Sequence, residues 1–215
     1  MIRHFVPVFF LLSFPITAKA IDCYSCHGQK GMPGYVDKAE FGVSAHGKFS
    51  CNDCHLDVTA YPHGKVSKVK CGICHFLGTE GAPTAQARQY KMSVHGKAVQ
   101  EGNPKAPICQ TCHGSHYIFP SQDERSKTYR LKIPALCSQC HPSEYEIYGK
   151  SIHGEQLLDK KNMGAATCFD CHLEHRTPNV NEPQWKLALI NGCGTCHPVE
   201  LDTYRKTYHG KVTEL

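Results

Sequence analysis

The chain has 215 residues, among them 14 cysteines and 15 histidines, and a formal net charge of +5. Cysteine and histidine at this density exclude an ordinary globular domain built on an aliphatic core. Leu, Ile, Val and Phe make up about 17 percent of residues 21–215, under the roughly 20 percent below which chains struggle to offset an ordering cost of about 1–2 kcal/mol per residue. Another source of apolar surface is required.

Residues 1–20 read as an export signal. Arg3 and His4 give a basic start, Phe5 to Ile16 a short apolar run, and Ala18-Lys19-Ala20 a small-residue cleavage site. The run is too short for the roughly 20 residues of a membrane-spanning helix. The expected location of the mature chain is therefore periplasmic or extracellular, and loss of Arg3 and Lys19 with the leader would lower the net charge from +5 to +3.

Seven times the chain reads C-x-x-C-H. The motifs join Cys23, Cys26 and His27; Cys51, Cys54 and His55; Cys71, Cys74 and His75; Cys109, Cys112 and His113; Cys137, Cys140 and His141; Cys168, Cys171 and His172; and Cys193, Cys196 and His197. Every cysteine is used. Two thiols on one turn suit thioether formation with the two vinyl groups of a haem, and the next residue brings an imidazole to the iron. A disulfide framework would not place a histidine after every second cysteine. Zinc sites use such pairs two at a time, and seven is odd. A thioredoxin-like motif would lie on a βαβ pattern that is absent here. The expected cofactors are seven haem c groups, which would supply the missing core.

Beyond His4 and the motif histidines remain His46, His63, His95, His116, His153, His175 and His209, one for each motif, read as second axial ligands. Glycine follows His46, His63, His95, His153 and His209, where it would let backbone approach closely beside a bulky ring. His116 and His175 instead stand three residues beyond His113 and His172. If the intervening segment were helical, both imidazoles would share one side of it, about 4.5 Å apart in rise. A haem offers its axial positions on opposite faces, so each of these second histidines is expected to reach a neighbouring haem. Met32, Met92 and Met163 have no ligand-like context.

The motifs fall into a degenerate repeat. CSQCHPSEYEIYGKSIHG from Cys137 aligns with CGTCHPVELDTYRKTYHG from Cys193, and YKMSVHG before CQTCHGSH aligns with YGKSIHG before CFDCHLEH. Two-haem units are expected at about 21–66, 67–132 and 133–190, with a half unit at 191–215. The first departs most, so its geometry is the least defined. Short helices are expected over Ser143 to Ile152 and Glu200 to Tyr208. Gly and Pro punctuate Gly28 to Gly34, Gly78 to Pro83 and Gly102 to Pro107 too often for long elements. The predicted fold is mainly irregular coil with short α-helices wrapped around a chain of seven covalent haems, with little or no β-sheet.

These motifs, the Ser-Val/Ile-His-Gly lead-ins and the C-H-x-x-H segments make the chain resemble the small-repeat multihaem c-type cytochromes, of cytochrome c3-like type, over nearly all of residues 21–215. The resemblance implies haems in alternating stacked and perpendicular contact along a continuous wire, and anaerobic or extracellular respiration in bacteria or archaea. It implies an electron carrier and not an enzyme, with redox protein partners such as a membrane quinol oxidase or other cytochromes. The rival readings are a multihaem nitrite, hydroxylamine or tetrathionate reductase with one open haem, a subunit of a haem filament, or a subunit of a membrane quinol-oxidising complex. No nucleic acid and no small-molecule substrate is expected. Seven oxidised haems at about −1 each would turn the mature +3 into about −4, making the basic composition misleading.

Overall fold

The structure, a computed structural model, describes residues 22–76 and 85–213. The leader and the stretch from Gly78 to Pro83 lie outside the described residues. About half of the protein is helical and the rest is irregular coil, with no strand among the described residues. The helices are short. Pro183–Cys193, at 11 residues, is the longest among the described residues, and none of these helices is long and apolar enough to cross a membrane.

The chain divides into two compact units, with the boundary between Val36 and Asp37. In the first, Tyr24–His27 forms a single helical turn, and the backbone then folds back so that Val36 N–H donates to the His27 carbonyl at 2.8 Å. Gly31 and Gly34 carry positive φ in this return, which suits residues without a Cβ.

The second unit is a succession of helical turns whose joints recur. The expected helices run from Pro142–Gly149 and Pro198–Lys206, starting slightly earlier than the sequence suggested because each proline occupies the first turn, where a missing N–H costs nothing. Both helices begin after a histidine of nearly identical backbone conformation, His141 at φ −121°, ψ 59° and His197 at φ −119°, ψ 60°.

Three His-Gly segments, at His95, His153 and His209, are joints between two helices. The hydroxyls of Ser93, Ser151 and Thr207 donate backward to the carbonyls of Tyr90, Tyr148 and Tyr204 at 2.6, 2.6 and 2.7 Å. The same oxygens accept forward from the N–H groups of Gly96, Gly154 and Gly210 at 3.0, 3.1 and 3.1 Å. One hydroxyl thus closes one helix and caps the next. A Cβ on Gly96, Gly154 or Gly210 would collide with the carbonyl of the tyrosine six residues earlier. The glycine is therefore demanded by the sharp helix-to-helix turn, and the space it frees is taken by backbone, not by a ring. Gly64, after His63, has open space around it and belongs to no such joint.

Little apolar packing holds these joints together. Among the described residues the buried apolar side chains include Phe119, Ile133, Pro134, Leu157 and Ala165, whereas Ile73, Ile147, Ile152, Val199 and Tyr208 are all more than 60 percent exposed. The polypeptide among its described residues leaves apolar surface uncovered on a scale that a protein of this size does not ordinarily tolerate.

Candidate functional site

The C-x-x-C-H pentapeptides fold as one helical turn. His27, His55, His75, His141 and His197 each donate their backbone N–H to the carbonyl of the first cysteine of the motif at 2.9–3.1 Å. The turn brings both thiols and the imidazole of a motif into one short segment, the arrangement that double thioether attachment and iron ligation require. None of the fourteen cysteines is joined to another in a disulfide.

The even-numbered motifs begin alike. Ser50, Ile108 and Thr167, each just before the first cysteine, donate their backbone N–H to Asp53 Oδ2, Thr111 Oγ1 and Asp170 Oδ2 at 2.7, 3.1 and 2.7 Å. Tyr90 hydroxyl donates to the Pro107 carbonyl, and Tyr148 hydroxyl to the Ala166 carbonyl at 2.9 Å, so each joint also positions the motif that follows it. Arg130 adds a clamp at the sixth motif, donating to Asp170 Oδ2 at 2.6 Å and the Ala165 carbonyl at 2.7 Å.

Five motif histidines each stand beside one of the remaining histidines. Ring centroids are 6.0 Å apart for His75 and His46, 6.0 Å for His55 and His116, 6.2 Å for His141 and His95, 5.9 Å for His113 and His175, and 6.1 Å for His197 and His153. Two imidazole nitrogens about 2 Å from one metal, with ring centres about 1 Å further out, give a centre-to-centre separation of about 6 Å. The pairs therefore fit the two axial positions of an iron.

The pairing follows a rule. Three of the five His-Gly histidines reach past the next motif to the one beyond it, as His46 faces His75, His95 faces His141 and His153 faces His197. His116 and His175 face the histidine two motifs before the one they follow. Backbone bonds run the same way: Ala45 N–H donates to the Ile118 carbonyl at 2.7 Å, and Val94 N–H to the Thr177 carbonyl at 3.0 Å. The segment after the motif is not the helix considered from sequence. Gly114 at φ 81° and Leu173 at φ 60° end the turn at once, swinging His116 and His175 away from the histidines three residues before them.

His27, His63, His172 and His209 are placed differently. The Nδ1 atoms of His27 and His63 lie 3.1 and 2.8 Å from the carbonyls of Gly34 and Gly64. His172 stacks on Trp185, with centroids 5.4 Å apart and planes 11° from parallel, and exposed His209 meets Tyr208 edge-on at 5.9 Å. Trp185 and Arg130 carried no sequence signal. The Tyr-x-x-Ser/Thr-x-His-Gly pattern of the joints is visible once the repeats are aligned.

Thiols of successive motifs adjoin. Cys71 donates to Cys109 and Cys137 to Cys168, which pushes the donors up and draws Cys109 down to about 6 and Cys168 to about 7. Cys54 lies within electrostatic reach of Cys74, Cys112 of Cys140, and Cys171 of Cys193 and Cys196. The second to seventh motifs thus follow one another in space in their sequence order. Burial, reinforced by a neighbouring histidine, lowers the pKa of His46, His95, His113 and His172 below the usual 6.5, and burial also lowers that of His175. Their neutral form, the one able to ligate a metal, is favoured. Beside the seventh motif, an open and largely apolar groove is lined by Ile190, Cys193, His197, Leu201 and Tyr204. No group of three or more metal-binding side chains occurs among the described residues, so the donors come in facing pairs and not in cages. Paired imidazoles, adjoining thiols and uncovered apolar surface fit a porphyrin cofactor.

Residues 105–198 match the family model for cytochrome c3. The chain is 25% identical over 185 residues to "Multiheme cytochrome MtrA" of Shewanella baltica, covering 79% of this chain and 46% of that protein. It is 25% identical over 206 residues to "High-molecular-weight cytochrome c" of Nitratidesulfovibrio vulgaris, covering 85% of this chain and 34% of that protein. The chain thus spans less than half the length of either relative. No solved structure matches it.

Proposed function

We propose that this protein is an exported electron carrier holding seven haem c groups on its seven C-x-x-C-H motifs, and that residues 1–20 are its cleaved leader. The observation that carries the reading is the set of five facing histidine pairs, each joining a motif histidine to one outside the motifs. Similarity to proteins named as a multiheme cytochrome and a high-molecular-weight cytochrome c supports electron transfer as the role.

In this reading each haem, when bound, supplies the one-electron Fe(III)/Fe(II) couple. The chain's own contribution is attachment, ligation and spacing. Each cysteine pair fixes one edge of a porphyrin, and the paired neutral imidazoles keep potentials lower than an axial methionine would. Adjoining thiols set neighbouring cofactors close together, so charge can pass along the row from the second motif to the seventh. The otherwise exposed apolar side chains line the porphyrins. Redox proteins at the two ends of the row would be donor and acceptor.

A denaturing gel stained for haem peroxidase activity should show a covalently coloured band, and intact mass should exceed the mature polypeptide by seven haem groups. Colourless exported protein that folds cooperatively would overturn the reading, and a smaller mass excess would overturn the count.

A further inference from the structure

Resting on the assignment of the motifs as haem sites, we propose that Trp185 is the positioning residue of the sixth site. Its indole lies against one face of the His172 imidazole, fixes the plane of that ring, keeps water from it, and so raises the potential of the haem attached at Cys168 and Cys171. The two ring planes are 11° from parallel and the centroids 5.4 Å apart. That separation is in the range of offset-stacked aromatic pairs and leaves no space for a metal between an imidazole and the wider indole. The indole nitrogen is in any case a donor only, with no lone pair to offer. Trp185 is therefore a neighbour of the ligand and not a ligand. A metal bound at an imidazole nitrogen lies in the plane of the ring, so the faces of His172 are free to take this contact.

The seat of the indole is built for this contact. Trp185 stands in the first turn of the helix Pro183–Cys193, and it is half-buried while every other residue from 181 to 188 is exposed. The helix ends at Cys193, the first cysteine of the seventh motif, and Cys171 of the sixth lies within electrostatic reach of it. One short element thus carries the brace of one site and an attachment point of the next.

The backbone around His172 is already held. Asp170 accepts from both Arg130 and the backbone of Thr167, and the Arg130 guanidinium lies 5.4 Å from the centre of the Phe169 ring. Leu173 adopts φ 60°, ψ 149°, a conformation essentially reserved for glycine, which persists only where the surroundings impose it. What these contacts leave free is rotation of the imidazole about its own side-chain bonds, and the stacked indole removes that freedom. Groups beside a metal ligand orient it, and the apolar shell they form controls solvent access and potential. Ferric haem carries one positive charge more than ferrous haem, so an apolar face against the ligand disfavours the oxidised state and raises the potential.

The test uses the holoprotein, with haem counted by mass on the same sample. In Trp185→Ala, spectroelectrochemical titration should show one of the seven components displaced to lower potential and six unmoved. Electron paramagnetic resonance of the oxidised variant should show one signal broadened, because the released imidazole samples a range of planes. Trp185→Phe keeps an aromatic face on His172 and should restore both readouts to those of the parent. Identical titrations and spectra for parent and Trp185→Ala would overturn the proposal. So would an upward displacement, changes spread over several components, or a Trp185→Phe variant that behaves as Trp185→Ala does. A parent mass below seven haems would instead count against the seven-site assignment.

Discussion

His113 and His175 lie 5.9 Å apart with their rings 8° from parallel, although one belongs to the fourth motif and the other follows the sixth. The shorter route, from His172 to His175, is closed by the left-handed backbone at Leu173. The histidine of one repeat is thereby delivered to the repeat before it.

Replacing His175 should therefore alter the haem of the fourth motif and not that of the sixth. His175→Met is expected to raise the potential of one haem, since a thioether stabilises Fe(II) relative to a second imidazole. Spectroelectrochemical titration should resolve one component displaced upward. A matching change at His116→Met should map to the haem of Cys51 and Cys54.

Acid should weaken the fold from the histidine side. For His46, His95, His113, His172 and His175 the folded-state pKa lies below 6.5, so around and below pH 6.5 the unfolded chain takes up protons that the folded chain refuses. Stability from these groups is complete above pH 6.5 and declines as pH falls through it. Denaturant unfolding followed by haem absorbance at pH 8, 6.5 and 5 should show midpoints decreasing in that order.

The His-Gly glycines are not equivalent. Gly154→Ala forces a Cβ into the Tyr148 carbonyl and should cost several kcal/mol, in the range of overpacking and lost-cap effects combined. Gly64→Ala meets nothing and should be neutral within about 0.5 kcal/mol. Thermal unfolding of the two holoproteins separates these outcomes.

Leu173→Gly should stabilise the protein. Relief of about 1–3 kcal/mol of backbone strain exceeds the roughly 1 kcal/mol that glycine's freedom in the unfolded chain costs, leaving a gain on the order of 1 kcal/mol. The converse change, Gly114→Leu, should destabilise. Unfolding midpoints of both variants against the parent decide the point.

Short helices without strands were legible in the sequence because proline starts, glycine stops and a shortage of aliphatic residues left few other solutions. The helices at Pro142–Gly149 and Pro198–Lys206 follow from local rules. The partners of His46, His95, His116, His153 and His175 were not legible, because they depend on how one repeat lies against another. The backbone bonds from Ala45 to Ile118 and from Val94 to Thr177 embody that relationship, and no local pattern announces them. That glycine after histidine admits a close approach of backbone was legible, but which backbone was not: it is a carbonyl six residues earlier, which only a turned chain brings near. Trp185 escaped notice because a lone indole has no periodic context.

The crossing of ligands between repeats bears on how such a molecule is made. If the motifs hold haem as proposed, a cut between the first and second or the second and third two-motif repeats would part paired histidines on both sides, and a cut before the last motif would part His197 from His153, so the array could not be shortened by whole modules without damage to those retained. On the same proposal, a failure of maturation at one motif would leave a histidine of a neighbouring repeat without its iron.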